Sequence, residues 1–136
     1  MMNESLIKQI IHAYYKVYNT LGFGFPEKIY ENALAQELRS QSIEVEQQQP
    51  IQVFYEKELI GEFFADLLVG QGVLVIIKAE EKLRPDDDRQ IMNYLKATTI
   101  EAGLLLNFGR RTEFKQKVFQ NELKKRKRDA GKKSGE

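Results

Sequence analysis

Asp66 and Lys78 stand where ionisable side chains are least expected. Asp66 lies in the apolar run Phe64-Ala65-Asp66-Leu67-Leu68-Val69, and Lys78 directly continues Val73-Leu74-Val75-Ile76-Ile77. A charged group in such a run is costly to bury unless it is paired or binds a metal. The turn Gly70-Gln71-Gly72 joins the two runs into a hairpin, and counting from that turn sets Asp66 and Lys78 at similar heights. A structural salt bridge accounts for both residues. So does a site in which a carboxylate holds a cation and the ammonium faces an anion.

Two further groups have the spacing for chemistry. Glu27 and Tyr30, preceded by Gly24, are three apart and share one helix face. Glu27 also falls in a first helical turn, where the dipole favours a carboxylate without any function. Gln90 and Tyr94 are four apart on a later helical segment. They could hydrogen-bond a phosphate or order a metal ligand, and they could equally be surface polar residues. The one histidine, His12, falls off the apolar stripe beside Lys8 and Lys16 and reads as solvated. Asp86, Asp87 and Asp88 read as an acidic helix start rather than a metal cluster. Gly22 and Gly24 lack the GK[ST] or GxGxxG context of a phosphate-cradling loop.

The elements that must position these residues follow from hydrophobic period. Ile7, Ile10, Ile11, Tyr14, Val17, Tyr18 and Leu21 recur at spacings of three and four, which predicts a helix over 5–21 stopped at Gly22. Pro26 can open a second helix, to about Gln41, with Ile29, Ala33, Leu34 and Leu38 inward. The period then changes to two. Ile43 to Tyr55 and Leu59 to Val69 read as strands, and Val73 to Ile77 as a strand buried on both faces. Arg84-Pro85 opens another helix through Ile91, Tyr94 and Leu95, ending near Thr98. Ala102 to Phe108 is a further apolar strand, and Phe114, Val118 and Phe119 allow one last strand or a short helix. The order is that of a sheet with helices packed against it, one α/β domain over 1–123.

Length and composition bound the function. A chain of 136 residues suits a single domain. Without cysteine, a disulfide framework, a thiolate zinc site and a cysteine nucleophile are excluded. No run of 18 apolar residues and no signal-like start is visible, which gives a cytoplasmic protein without membrane attachment as the expectation. The net charge of +1 hides an asymmetry: residues 1–109 hold 10 basic and 16 acidic side chains, residues 110–136 hold 11 and 4. Residues 124–136, with KKRKR and GKKSG, read as a disordered basic arm able to contact a phosphate backbone or merely to solubilise the chain.

Taken together, the motifs resemble a known family. Gly24-Phe25-Pro26-Glu27-Lys28-Ile29-Tyr30 matches the pattern that names the GxxExxY proteins. The likeness continues through Ala65-Asp66-Leu67-Leu68-Val69, Lys78-Ala79, Glu81-Lys82-Leu83 and Gln90 to Lys96, to Leu104-Leu105-Leu106-Asn107-Phe108-Gly109. That family looks like a branch of the PD-(D/E)XK nuclease superfamily. Gln90-Ile91-Met92-Asn93-Tyr94 is similar to the QxxxY motif of its RecB-like nucleases.

The resemblance implies a restriction-endonuclease-like αβββαβ core and hydrolysis of DNA or RNA phosphodiesters with Mg²⁺ or Mn²⁺. On this mapping Asp66, Glu27 and the backbone carbonyl of Ile77 hold the metal, Lys78 steadies the attacking water or the transition state, and Gln90 and Tyr94 support the phosphate. One position departs from the pattern. The family has an acid two residues before the lysine, and this chain has Ile76. Strand alternation puts 76, 78 and 80 on one face, so Glu80 is a candidate for a displaced acid. The expectations are an impaired nuclease or, in its place, a nucleic-acid or protein interaction module on the same fold.

Overall fold

The computed structural model describes residues 3–124. Two helices come first, α1 (Glu4–Leu21) and α2 (Glu27–Ser40), then β1 (Val45–Tyr55), β2 (Glu58–Val69) and β3 (Val73–Lys78). Helix α3 (Pro85–Lys96) leads to β4 (Ala102–Phe108) and β5 (Thr112–Val118). The last apolar segment is therefore a strand, and a helical turn follows it at 121–124. The sheet runs in the order β1-β2-β3-β4-β5. Only β3 and β4 are parallel, with Ile77 level with Leu106 and Lys78 with Asn107. A parallel neighbour needs a crossover, which α3 supplies. This is the mixed α/β architecture that the element order implied.

Period two in β3 explains why it is apolar throughout. Val73, Val75 and Ile77 pack with α1 and α2, together with Leu104, Leu106 and Phe108 of β4. Leu74 and Ile76 face α3 on the other side, beside Ile91, Leu95 and Leu105. On α1 the buried stripe is Ile7, Ile10, Ala13, Tyr14 and Val17. On α2 it is Tyr30, Glu31, Leu34, Ala35 and Leu38, so Ile29, expected inward, is in fact 42% exposed. The stripe is set one residue further along, and it brings a carboxylate, Glu31, into the interior.

β2 pairs with β3 only over Leu67 to Val69, while its pairing with β1 continues to the hairpin tip. The sheet thus opens on the β2 side of β3 just past Val75, and the free edge of β3 becomes available to side chains.

Candidate active site

Two carboxylates close that opened edge. Asp66 Oδ2 accepts the Ile77 N–H at 2.7 Å, and Glu27 Oε2 accepts the Ala79 N–H at 3.2 Å. Residues 77 and 79 point their amides to the same side of the strand, so Asp66 and Glu27 act as substitutes for the missing β2 ladder. In a strand the N–H and C=O of one residue leave on the same edge, so the Ile77 carbonyl faces this gap as well. Glu27 reaches it from the first turn of α2.

Behind them stands a third acid. Glu31, one turn after Glu27 and 3% exposed, accepts from Lys28 at 2.9 Å, from Gln47 at 2.7 Å and from Gln48 at 2.6 Å. Gln48 sits in β1 at a φ of 54°, a conformation that favours glycine. From there its amide also lies 3.4 Å from Asp66 Oδ1. Burial raises the Asp66 carboxyl above the usual range; the Ile77 N–H opposes this, and the charges of Glu31 and Glu27 add to it.

Lys78 does not join Asp66. The β2–β3 register of Leu67 with Val75 sets Asp66 opposite Ile76 rather than Lys78, and Lys78 Nζ lies 3.6 Å from Asp87 Oδ1 of α3. The salt bridge between Asp66 and Lys78 that counting from the turn allowed is replaced by this one. Asp87 is 2% exposed and, at the third position of α3, also accepts the Arg84 N–H at 2.9 Å. The sequence reading placed it among dipole acids and missed its second role. The signal was there: 87, 91 and 95 are four apart, which puts Asp87 on the inward stripe with Ile91 and Leu95.

Glu80 is likewise drawn away from Asp66. Its Oε1 lies 3.0 Å from Arg84 Nη2, while Oε2 is buried without a donor among the described residues. Burial and the neighbouring Asp87 carboxyl push Glu80 upward against the pull of Arg84. Burial alone would also raise Asp87, but its hydrogen bonds with Glu80 and Arg84 N–H and the charge of Lys78 carry it below the usual range.

Gln90 and Tyr94 are brought together, Nε2 to OH at 2.9 Å, and the Tyr94 ring lies 4.2 Å from that of Phe63. Ile76 is 2% exposed and packs with Leu83, Ile91, Leu105 and Tyr94. The position at which the resemblance led one to expect an acid is therefore part of the core. Asn107, unread in the sequence and fully buried, ties the end of β4 to the end of β3: it exchanges two 2.9 Å hydrogen bonds with the backbone of Glu80.

A resident Mg²⁺ or Mn²⁺ would ask for several oxygen ligands converging on one point. Asp66 and Glu27 each have one oxygen engaged by a backbone amide, Ile76 offers none, and Glu80 faces α3. No group of three His, Cys, Asp or Glu residues is disposed to hold a metal among the described residues. The donor set does not fit such an ion. The open groove between the β1–β2 hairpin and the end of α3, lined by Pro50, Phe54, Glu62, Ala97 and Thr98 among others, is elsewhere and has one ionisable side chain, Glu62. No described helix is long and apolar enough to cross a membrane.

The family model of the PD-(D/E)XK nuclease superfamily matches residues 4–126. The crystal structure of SSO0001 is similar in fold, with a TM-score of 0.55 at 18% sequence identity. The match covers 87% of this chain and 61% of that one, so this chain spans less than two thirds of that protein's length. A search of curated proteins found no match.

Proposed function

Because the chain belongs to the PD-(D/E)XK nuclease superfamily, we propose that it derives from enzymes that hydrolyse DNA or RNA phosphodiesters and that Ile76 has disabled the hydrolysis. The observation that carries this reading is the burial of Ile76 among Leu83, Ile91 and Leu105 on the face of β3 that also bears Lys78. Divalent metals supply water activation and charge neutralisation in such reactions. What remains in this chain is a set of positioned groups. Asp66 and Glu27 hold the end of β3, Lys78 is the cation nearest to them on that strand and is steadied by Asp87, and the Gln90–Tyr94 pair flanks the apolar plug.

The second reading, a non-catalytic nucleic-acid interaction module, is favoured by the same burial. Ile76 and Lys78 both have structural partners on α3, so the strand end keeps its shape without a ligand. The test is a cleavage assay on single- and double-stranded DNA and RNA with Mg²⁺ or Mn²⁺, for wild type, Lys78→Ala, Ile76→Glu and Ile76→Glu/Lys78→Ala. Wild type is expected to be inactive, Ile76→Glu to gain Mn²⁺ binding and cleavage, and the double variant to lose the cleavage. Cutting by wild type that Lys78→Ala abolishes would end the disabled reading. A folded Ile76→Glu protein that neither binds metal nor cuts would end the whole mapping. Burying that carboxylate costs several kcal/mol, so thermal melts with Ile76→Ala as the apolar control establish that each protein is folded.

A further inference from the structure

The loop that leads into Glu27 presents large aromatic side chains to solvent. Phe23 is 55% exposed and Phe25 45%. Single exposed apolar residues need no explanation, but these two are held in place rather than left loose. The Tyr30 hydroxyl donates to the Gly22 carbonyl at 2.6 Å and accepts the Phe25 N–H at 3.2 Å, so one buried side chain fixes both ends of the loop. Tyr30 itself is stacked on Phe108 with ring centres 4.3 Å apart. Gly22 and Gly24 adopt φ values of 70° and 108°, and a Cβ on either would meet nothing within 4 Å. The glycines are there for their backbone angles, and the space above the loop is open.

A cation lies against the same loop. The Arg110 guanidinium is 5.6 Å from the centre of the Phe23 ring. Its backbone is pinned by Tyr18, whose hydroxyl lies 2.9 and 2.7 Å from the carbonyl oxygens of Gly109 and Arg110. Arg110 and Arg111 are exposed, and neither forms an ion pair among the described residues. The turn is locked onto the candidate site: a Cβ at Gly109 would stand 2.2 Å from the carbonyl oxygen of Glu80. The aromatic loop and Arg110 are thus neighbours, and Gly109 ties them to the segment that follows β3, so the three make one rim.

We propose that Phe23, Phe25 and Arg110 form a stacking platform for unpaired bases, with Arg110 and Arg111 taking the adjoining phosphates, so that the ligand of this rim is single-stranded DNA or RNA. The proposal rests on the nucleic-acid reading of the site and deepens it by naming the strand state. Every base has a π-face, so an exposed aromatic ring beside a guanidinium binds unstacked bases with little regard to sequence. In a duplex those faces are covered by neighbouring bases. The platform therefore discriminates on pairing rather than on sequence.

The test is fluorescence anisotropy with the full chain, in chelator, using 12-mers of single-stranded DNA, single-stranded RNA and the matching duplexes. Wild type is expected to bind one or both single strands more tightly than either duplex. Phe23→Ala should weaken that binding roughly five- to 150-fold, the range for one stacked base, and Phe23→Trp should retain it. Arg110→Ala should weaken binding and flatten its salt dependence. Because residues 125–136 are the same in every variant, their contribution cancels in the comparison, and unchanged melting curves establish that the exposed substitutions leave the fold intact. Equal affinity for duplex and single strand, or no loss in Phe23→Ala, would overturn the platform, the loop then being a protein contact or a bare surface. Cleavage of duplex by Ile76→Glu that Phe23→Ala leaves unaffected would overturn the platform while the nuclease ancestry stood. Absence of binding to every nucleic acid would overturn the platform together with the nucleic-acid reading of the site on which it rests.

Discussion

Asp66 is a half-buried carboxylate with Glu31 and Glu27 as neighbours and a backbone N–H as its best partner. Its carboxyl titrates above the ordinary range, chiefly because of burial. A raised acid binds its proton more tightly in the folded protein, so folding is favoured by low pH and loses stability as pH rises through the raised value. Asp66→Asn keeps an oxygen for the Ile77 N–H and removes the charge. Its melting temperature at pH 7 is expected to exceed that of wild type, and the gap should close as pH falls below about 4, the ordinary carboxylate range. Melts recorded from pH 3 to 8 check this, and a lower melting temperature at pH 7 would show that the charge stabilises the site. Asp66 and Lys78 were legible as types in unexpected places, and Glu27 and the missing acid at Ile76 through the family resemblance. Their partners were not. Lys78 pairs with Asp87, nine residues further on and in another layer, and sequence distance carries no information about which layer closes over a strand.

The turn between α1 and α2 and the departure of β2 from β3 shape the site at the level of elements. Tyr30 is the keystone of the turn. Tyr30→Phe keeps the ring on Phe108 and removes both hydrogen bonds to the loop. The expected cost is about 1–3 kcal/mol, with faster amide exchange at Phe25 as the local readout; unchanged exchange would mean that Pro26 and α2 hold the loop unaided. The helices and strands themselves were readable because each buries one stripe or one face, and that leaves a period in the sequence. Ile29 lies on the other side because Tyr30, Leu34 and Leu38 recur at spacings of four and form the stripe, from which Ile29 is turned by about 100°. Stacking on Phe108, a strand seventy-eight residues away, decides in favour of Tyr30. The gap in the β2–β3 ladder left no sequence signal at all, since apolar alternation continues through Asp66 on both sides.

Charge separation describes the molecule as a whole. The basic half of the chain begins within the folded domain. Lys115 and Lys117 of β5 lie 2.9 and 3.5 Å from Asp88 and share that one carboxylate, whereas Arg110 and Arg111 form no ion pair among the described residues. Lys124, expected to open the basic arm, is 5% exposed and donates to the carbonyl oxygens of Thr98 and Ile100 at 2.9 and 2.7 Å. The remaining arm, 125–136, lies outside the described residues and holds six Lys and Arg. Its removal is expected to lower nucleic-acid affinity and to reduce the slope of log affinity against log salt by up to about five. An unchanged slope, measured by anisotropy between 50 and 200 mM salt, would leave all phosphate contacts to the folded rim. The sequence by itself determined the α/β architecture, the family, the suspect acids and lysine, and the absence at position 76. The acids and the lysine are local properties, a residue type set against the burial its period demands; the absence at position 76 shows only against the family resemblance, since isoleucine is what that strand's burial asks for. Tertiary structure alone decided that Asp66 closes an open strand edge, that Lys78 answers to α3, that Glu80 turns to Arg84, and that Arg110 lies over Phe23. Each of these is an encounter between distant segments, fixed by where a strand pair separates and which helix packs across it.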